Sequence, residues 1–403
     1  MDDRVILHCD CNSFFASVET VLNPEYRNVP MAVCGSQSDR HGIVLAKNEL
    51  AKKYKIQTAE TVYSAKKKCP SLVIASPHYS EYSRYSKIVN EIYSRYTDLI
   101  EPFGIDESWL DVTASRRLFG SGEKIAEEIR STVKKETGLT VSIGVSFNKI
   151  FAKLGSDYKK PDAVTVISKE NFRDIVFPLP VTDLLFVGKY TSGVLASMGI
   201  RTIGALAMAD KALLEYKLGK AGELLYNYAN GLDTTPVTPP TENAKSISNG
   251  FTFRQDLLDK DRCKIGIDFL CEEIGMKLRS KKLKCATVAL SIKDSFFRTI
   301  RRQKPVNPPT DLKKTISDTA YRILLEQWDP DRRIRMLTVS VSNLSASSGE
   351  QLSFFDCSQD EANKKEDKIE NAIDNIRQKF GNTSIVNSEF LTSDFIFGSD
   401  EEE

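Results

Sequence analysis

Two adjacent carboxylates set in apolar sequence, Asp106 and Glu107, constrain this chain more than any other feature. They stand in Phe103-Gly104-Ile105-Asp106-Glu107-Ser108-Trp109-Leu110-Asp111, after the run Leu99-Ile100-Glu101-Pro102. The pattern reads as a buried β-hairpin with acids at its turn. An ionised carboxylate in such a place is costly unless it is paired or binds a cation. Asp10 has the same setting far upstream, closing the apolar run Val5-Ile6-Leu7-His8-Cys9. Three carboxylates that close apolar strands can share one divalent-metal site, and hard oxygen ligands of this kind suit Mg²⁺ and phosphate chemistry. Taken alone, an Asp-Glu pair is ordinary turn chemistry. The rest of the chain decides between the two.

At 403 residues the chain is too long for one core and is expected to form about two to four domains. A hydrophobic content of 41% with 28% charged residues is that of a soluble globular protein. No run of about 18 apolar residues is present, so no membrane span is expected. The N-terminus, Met1-Asp2-Asp3-Arg4, leads straight into a strand and does not read as a signal peptide. Eight cysteines are scattered without a disulfide pattern, which points to a reducing cytoplasm. His8, Cys9 and Cys11 could suggest zinc, but residues 8 and 9 face opposite sides of a strand and no second cysteine pair is near. The net charge of +1 conceals a stripe of ten basic residues and one acid between Lys277 and Lys304, which suggests an anionic partner for one domain.

The chain opens with a buried strand over 4–10 and a helix over 12–22, which Asn12 or Ser13 can cap and Pro24 ends. Strands are expected at 29–34, 42–46 and 72–75, with short lysine-rich helices at 48–54 and 61–69. A long helix over 79–96 leads to the acidic hairpin. Then come a helix over 122–137, a strand at 140–145, a helix over 148–157 and a strand at 164–167. This β-α-β-β-α-β order around one acidic hairpin is that of a ferredoxin-like sheet. Residues 170–235 are helical and punctuated by glycines, among them Gly188, Gly219 and Gly222, with Lys220 between the last two. Glycines at helix N-termini can expose backbone N–H groups to phosphates, as in helix-hairpin-helix DNA binders, although plain helix capping gives the same pattern. A Pro/Thr linker follows at 234–245. Residues 246–346 read as an α+β unit whose first helix and hairpin carry the basic stripe. In the tail, residues 347–403, Gln351-Leu352-Ser353-Phe354-Phe355 is an apolar plug in polar sequence.

These residues resemble the Y-family translesion DNA polymerases, of the UmuC and DinB type. The resemblance runs over about 1–346 and the tail motif. It is carried by Asp10-Cys11-Asn12-Ser13-Phe14-Phe15-Ala16-Ser17-Val18-Glu19 and Ile105-Asp106-Glu107-Ser108, followed by Ser146-Phe147-Asn148-Lys149 and Lys159-Lys160-Pro161. It implies an α+β multidomain right hand. The ferredoxin-like palm would take 1–10 and 80–169, small fingers 11–79, a helix-hairpin-helix thumb 170–235, a linker 236–245 and an α+β little finger 246–346. It implies a template-directed DNA polymerase that acts on damaged DNA in the cytoplasm as a monomer. Asp10, Asp106 and Glu107 would be catalytic and, with the Cys11 carbonyl, would bind two Mg²⁺. Phe15 matches the family's steric gate against the 2′-hydroxyl, beside Phe14. Lys160 and Lys52 would meet the triphosphate of a deoxynucleotide. Gly188, Gly219, Lys220, Gly222, Arg298, Arg301 and Arg302 would meet primer-template DNA. Gln351, Leu352, Phe354 and Phe355 resemble the peptide that docks in the bacterial β sliding clamp. The family's usual Tyr and Arg on the fingers helix align here with Glu49 and Lys52, which puts that part of the triphosphate site in question. Two other readings compete: a nucleotidyl cyclase with a similar palm, and a non-catalytic DNA-binding repair scaffold. A cyclase has no use for a duplex grip, and a dead palm has no use for all three acids.

Overall fold

The computed structural model describes residues 4–35, 42–240, 244–329, 331–346, 360–381 and 383–391. The described chain divides into two compact units, the first ending at Pro240 and the second holding the residues from 244 onward.

The first unit is built on a five-stranded sheet of order β5-β6-β1-β7-β8. Its strands are β1 (Ile6–Cys11), β5 (Ile100–Pro102), β6 (Glu107–Asp111), β7 (Val141–Ser146) and β8 (Val164–Ile167). Strands β5, β6, β1 and β7 are antiparallel neighbours, and β8 joins β7 in parallel. Four strands in this order are the ferredoxin-like arrangement expected from the sequence. Helices α4 (Tyr79–Ser94) and α6 (Gly122–Thr137) cover one face. Tyr82, Val89 and Ile92 of α4 and Ile125, Ile129 and Val133 of α6 share a core with Leu7, Cys9 and Cys11. Helix α7 (Lys149–Tyr158) makes the β7–β8 crossover. Its Ala152 lies in one buried cluster with Ile6 and Trp109.

Between β1 and α4 the chain leaves the large sheet. Helix α1 (Phe14–Leu22) leads to a three-stranded sheet of β2 (Met31–Cys34), β3 (Val44–Lys47) and β4 (Val73–Ala75), with β2 central. Helices α2 (Glu49–Lys52) and α3 (Val62–Lys68) complete it, and α5 (Arg116–Phe119) is a short turn before α6. Helix α1 serves two cores at once: Phe14 and Val18 face the large sheet, and Ala16 faces Met31 and Val33 of the small one. The expected side-chain cap of α1 is not made. Ser13 sits at the cap position with φ 49° and its side chain caps nothing. Asn12 is spent elsewhere. Its Nδ2 donates to Ser142 Oγ at 2.8 Å and its Oδ1 accepts from Asp162 N at 2.9 Å, which ties the loop carrying Lys160 to the sheet.

After β8 come five helices, α8 (Phe172–Val176), α9 (Lys189–Ser197), α10 (Ile203–Ala207), α11 (Lys211–Leu218) and α12 (Lys220–Ala229). Leu195, Ile203, Leu206, Leu214 and Leu225 form their core.

The second unit is an antiparallel sheet of order β11-β10-β12-β9. It uses β9 (Ser246–Leu257), β10 (Leu283–Asp294), β11 (Thr299–Thr310) and β12 (Ile334–Ala346), with helices α13 (Lys260–Ser280) and α14 (Lys313–Glu326). Val288, Leu290, Leu337, Val339 and Val341 bury against Ile267, Leu270, Ile274 and Ile323 of the helices. Side chains alternate along a strand, so the neighbouring positions make the opposite face. There Ser291 pairs with Thr338 and Arg301, and Ser340 pairs with Ala289 and Ser248. This face is small and mostly polar. Beyond β12 the chain continues into α15 (Asp360–Phe380) and α16 (Ser388–Leu391). Both lie within the stretch read as a tail, 347–403. Glu366, Glu370 and Asp374 stand four residues apart on α15 and meet Lys314, Arg279 and Lys313 of α13 and α14. Arg377 returns an ion pair to Glu272.

Candidate active site

The three carboxylates meet where β1 ends and β6 begins. Asp10 and Glu107 are direct cross-strand partners, so their side chains leave the same face of the sheet. Asp106 precedes β6, and its carbonyl accepts from Cys11 N at 2.9 Å, which fixes the junction. The Cys11 side chain is buried in the core, so only its backbone is available to a ligand.

A close approach of α7 brings the cations in. Gly144 of β7, the register partner of His8, has Ala152 O only 1.9 Å from where a Cβ would stand, and Gly155 has the Gly144 Cα 2.9 Å from its own. Two glycines in contact let the helix settle on the strand. Lys153 of α7 then reaches Glu107 Oε2 at 2.5 Å. Lys160, just past the helix, reaches Asp10 Oδ1 at 2.8 Å and Asp157 at 2.9 Å. His8 completes the cluster. Ser156 Oγ donates to the Lys153 carbonyl and lies 2.8 Å from His8 Nδ1, and His8 Nε2 lies 3.3 Å from Glu107 Oε2.

The electrostatics separate the acids. Burial pushes the Asp106 carboxyl up to about 6, and the charges of Asp10 and Glu107 add to the shift. Glu107 moves the other way. Burial opposes its ionisation, but His8 and Lys153 beside it prevail and hold it at about 2. Among the described residues Asp106 has no ion pair, whereas Asp10 and Glu107 each have a lysine. As they stand, no three His, Cys, Asp or Glu side chains among the described residues are gathered around a point fit for a metal ion. The donor set is nonetheless one a hard divalent cation fits: three carboxylates and a backbone carbonyl, with a raised pKa that a positive charge would relieve.

Beside the acids lies a cavity of about 410 Å³ lined by Asp10, Asp106, Phe15, Lys52 and Lys160, among others. Phe15 is half-buried, and its ring stacks on Tyr82 at 4.1 Å and 10°. Tyr82 is held in turn, since its hydroxyl donates to the buried Glu19, which also contacts His78 Nδ1 at 2.9 Å. Phe14, expected at the nucleotide, is 3% exposed and packs in the core beside Phe15, and it too lines the cavity. Lys52 is tied to Glu49 at 2.6 Å, and Ser13 Oγ donates to the same oxygen at 3.2 Å. A lysine absent from the sequence reading, Lys47 of β3, lines this cavity too and donates to Thr58 Oγ1 at 3.2 Å. Burial first and Lys52 second lower its pKa. Its signal was its place at the end of a strand beside the lysine-bearing α2. For Lys153 the signal was the four-residue step from Lys149, which puts both on one face of a helix whose other side is apolar.

The expected DNA contacts divide. Gly188 caps α9 with open space around it. At Gly219 and Gly222 the N–H groups donate to Glu215 O and Gly219 O. Gly222 is a packing glycine: a Cβ there would stand 2.2 Å from Leu214 O. Lys220 remains exposed at the start of α12. Arg298, Arg301 and Arg302 are all exposed, but they do not form one surface. Arg301 pairs with Ser291 on the small polar face, whereas Arg302 pairs with the core residue Leu290 and so points to the helix side. Residues 351–355 lie outside the described residues.

Comparison with known proteins now decides the family. The model of the impB/mucB/samB family matches residues 9–157, and that of the same family's C-terminal domain matches 244–354. The chain belongs to the Y-family of DNA polymerases. It is 48% identical over 385 residues to a DNA polymerase IV of Acetivibrio thermocellus, covering 95% of this chain and 96% of that one. It is 38% identical over 394 residues to a DNA polymerase IV of Clostridium kluyveri, covering 96% and 98%. A solved Y-family chimera, Dbh-Dpo4(243-245)-Dbh, shares its fold with a TM-score of 0.76 at 23% identity, over 85% of this chain and 99% of that one. Among the described residues, no helix is long and apolar enough to cross a membrane.

Proposed function

We propose that this chain is a template-directed DNA polymerase of the translesion type, extending a primer 3′ end with deoxynucleotides. The observation that carries the reading is the convergence of Asp10, Asp106 and Glu107 on one strand junction, beside a cavity that also holds Phe15 and Lys160, in a chain of this family. Asp10, Asp106, Glu107 and the Cys11 carbonyl would hold two Mg²⁺. When bound, such a pair supplies a more acidic primer hydroxyl and neutralises charge on the leaving pyrophosphate. Lys153 and Lys160 neutralise Glu107 and Asp10 in the free protein, and a bound cation would free them. Lys160, Lys52 and Lys47 then surround the triphosphate with positive charge, as point charges rather than the forked contacts an arginine gives. Phe15, braced by Tyr82, lies under the sugar and excludes a 2′-hydroxyl by bulk.

The large sheet is the palm, the three-stranded sheet with α1 to α3 the fingers, α8 to α12 the thumb, and the second unit the little finger. The partners are primer-template DNA, deoxynucleoside triphosphates and the bacterial β sliding clamp, met by a monomer in the cytoplasm. Primer extension with Mg²⁺ tests the reading. Asp106→Ala and Glu107→Ala are each expected to abolish incorporation and to leave DNA binding nearly intact. Extension at the wild-type rate by either variant overturns it.

A further inference from the structure

The β10–β11 hairpin of the second unit ends in a tip with two adjacent exposed aromatics. Phe296 is 79% exposed and Phe297 is 65% exposed. The tip is held rigidly. Asp294, 2% exposed, accepts from Phe296 N at 2.9 Å and from Arg298 N at 2.8 Å. Its other oxygen lies 3.6 Å from Arg332. Phe297 N donates to Asp294 O at 3.0 Å, and Ser295 N donates to Arg333 O at 3.1 Å. Phe297 adopts φ 63°, a left-handed conformation that a bulky side chain avoids unless its surroundings impose it. A buried carboxylate thus fixes a strained turn whose result is to hold two rings out in solvent. Such strain is retained where it presents something.

The surroundings say to what. The Arg298 guanidinium lies 5.9 Å from the Phe296 ring centroid, and that of Arg335 lies 4.7 Å from the Phe297 ring. Arg332 and Arg333 flank the turn, and Arg301 lies two residues into β11. Of the nearby acids, Asp294 is buried and occupied, Asp329 approaches Arg332 at 4.0 Å, and Asp331 is exposed. Positive charge therefore dominates. A protein groove could take the rings but would leave the arginines without a use. A nucleobase offers a flat apolar face, and its phosphate meets an arginine. A paired, stacked base has no face free for a ring, so the fitting partner is an unpaired base.

We propose that the Phe296–Phe297 tip is a stacking platform for an unpaired base of single-stranded DNA. The proposal rests on the reading of the second unit as a DNA-binding surface, and its test keeps the two apart. The full chain is titrated with two fluorescent oligonucleotides of equal length, a thymidine strand and an abasic strand. Phe296→Ala is expected to weaken the thymidine strand about tenfold and to leave the abasic strand unchanged. Phe296→Trp is expected to retain the thymidine affinity and to show fluorescence quenching on binding. Arg301→Ala is expected to weaken both strands and to flatten the salt dependence. If Phe296→Ala has no effect, or weakens both strands equally, the stacking proposal is overturned while the DNA surface stands. If Arg301→Ala also leaves both strands unchanged, it is the DNA surface itself that fails.

Discussion

At the scale of single residues, the site is a set of carboxylates whose charges are unequally compensated. Asp106 is the one of the three with no ion pair among the described residues, and burial, with the charges of Asp10 and Glu107, holds its pKa up at about 6. Raised above its unfolded value, it contributes stability that is fully present below the ordinary Asp range and is lost as pH rises through about 6. Glu107, at about 2, stays ionised throughout that window. A divalent cation needs Asp106 ionised, so binding must expel its proton below about pH 6 and need not above. The thermal stabilisation by Mg²⁺ is therefore expected to be larger at pH 7.5 than at pH 5.5, and Asp106→Asn is expected to remove that difference. A stabilisation independent of pH in the wild-type protein would refute the assignment. For Phe15, the stack on Tyr82 makes the ring a fixed obstacle, and Phe15→Ala is expected to raise ribonucleotide insertion relative to deoxynucleotide. An unchanged ratio in single-nucleotide insertion would place the gate elsewhere. The three acids could be read from sequence because each closes an apolar run, a local pattern. His8 and Lys153 could not be assigned that way, since Glu107, which both approach, lies on another strand and only the fold sets those distances.

At the scale of elements, α7 is the piece that turns an acidic hairpin into a site. It carries Lys153 and Ser156 and delivers the loop with Lys160, and it can do so because Gly144 and Gly155 let it lie against β7. Gly144→Ala puts a methyl into the Ala152 carbonyl, where only backbone can yield. Overpacking of this kind costs about 1–3 kcal/mol. The variant is expected to lose that much stability in urea denaturation and, because α7 must lift, to lose polymerase activity beyond what its folded fraction explains. Equal stability and activity to wild type would show that α7 is not the positioning element. The boundaries of the regular elements were largely legible: α6 and β8 fall where period and capping residues put them. Two element-level features were not. A glycine that serves helix packing, such as Gly222, looks in sequence like one that serves a phosphate. A pair of neighbouring arginines, such as Arg301 and Arg302, looks like one patch until strand register sends them to opposite faces.

At the scale of the whole molecule, α15 brings the chain beyond β12 back onto the second unit. The plug falls in the stretch between the end of β12 at Ala346 and the start of α15 at Asp360. Helix α15 is fixed to the second unit by Arg279, which pairs with both Glu370 and Asp374, and by Arg377 with Glu272. These side chains are mostly buried, and breaking such a pair by removing one partner costs about 3–5 kcal/mol. The acidic stripe of Glu366, Glu370 and Asp374, visible in sequence at four-residue steps, was the signal for this docking, but its basic counterpart lies on α13 and α14, far along the chain. If 351–355 is the clamp peptide, changing Leu352, Phe354 and Phe355 to alanine is expected to abolish stimulation by the sliding clamp while leaving distributive synthesis and the melting temperature unchanged, because α15 holds the unit together without them. Arg279→Ala is expected to do the reverse: lower the melting temperature of the second unit and weaken clamp stimulation only in part, since the peptide stays attached through β12. A triple variant that loses thermal stability but titrates the clamp in calorimetry like the wild type would show that these rings pack within the chain and dock nowhere else.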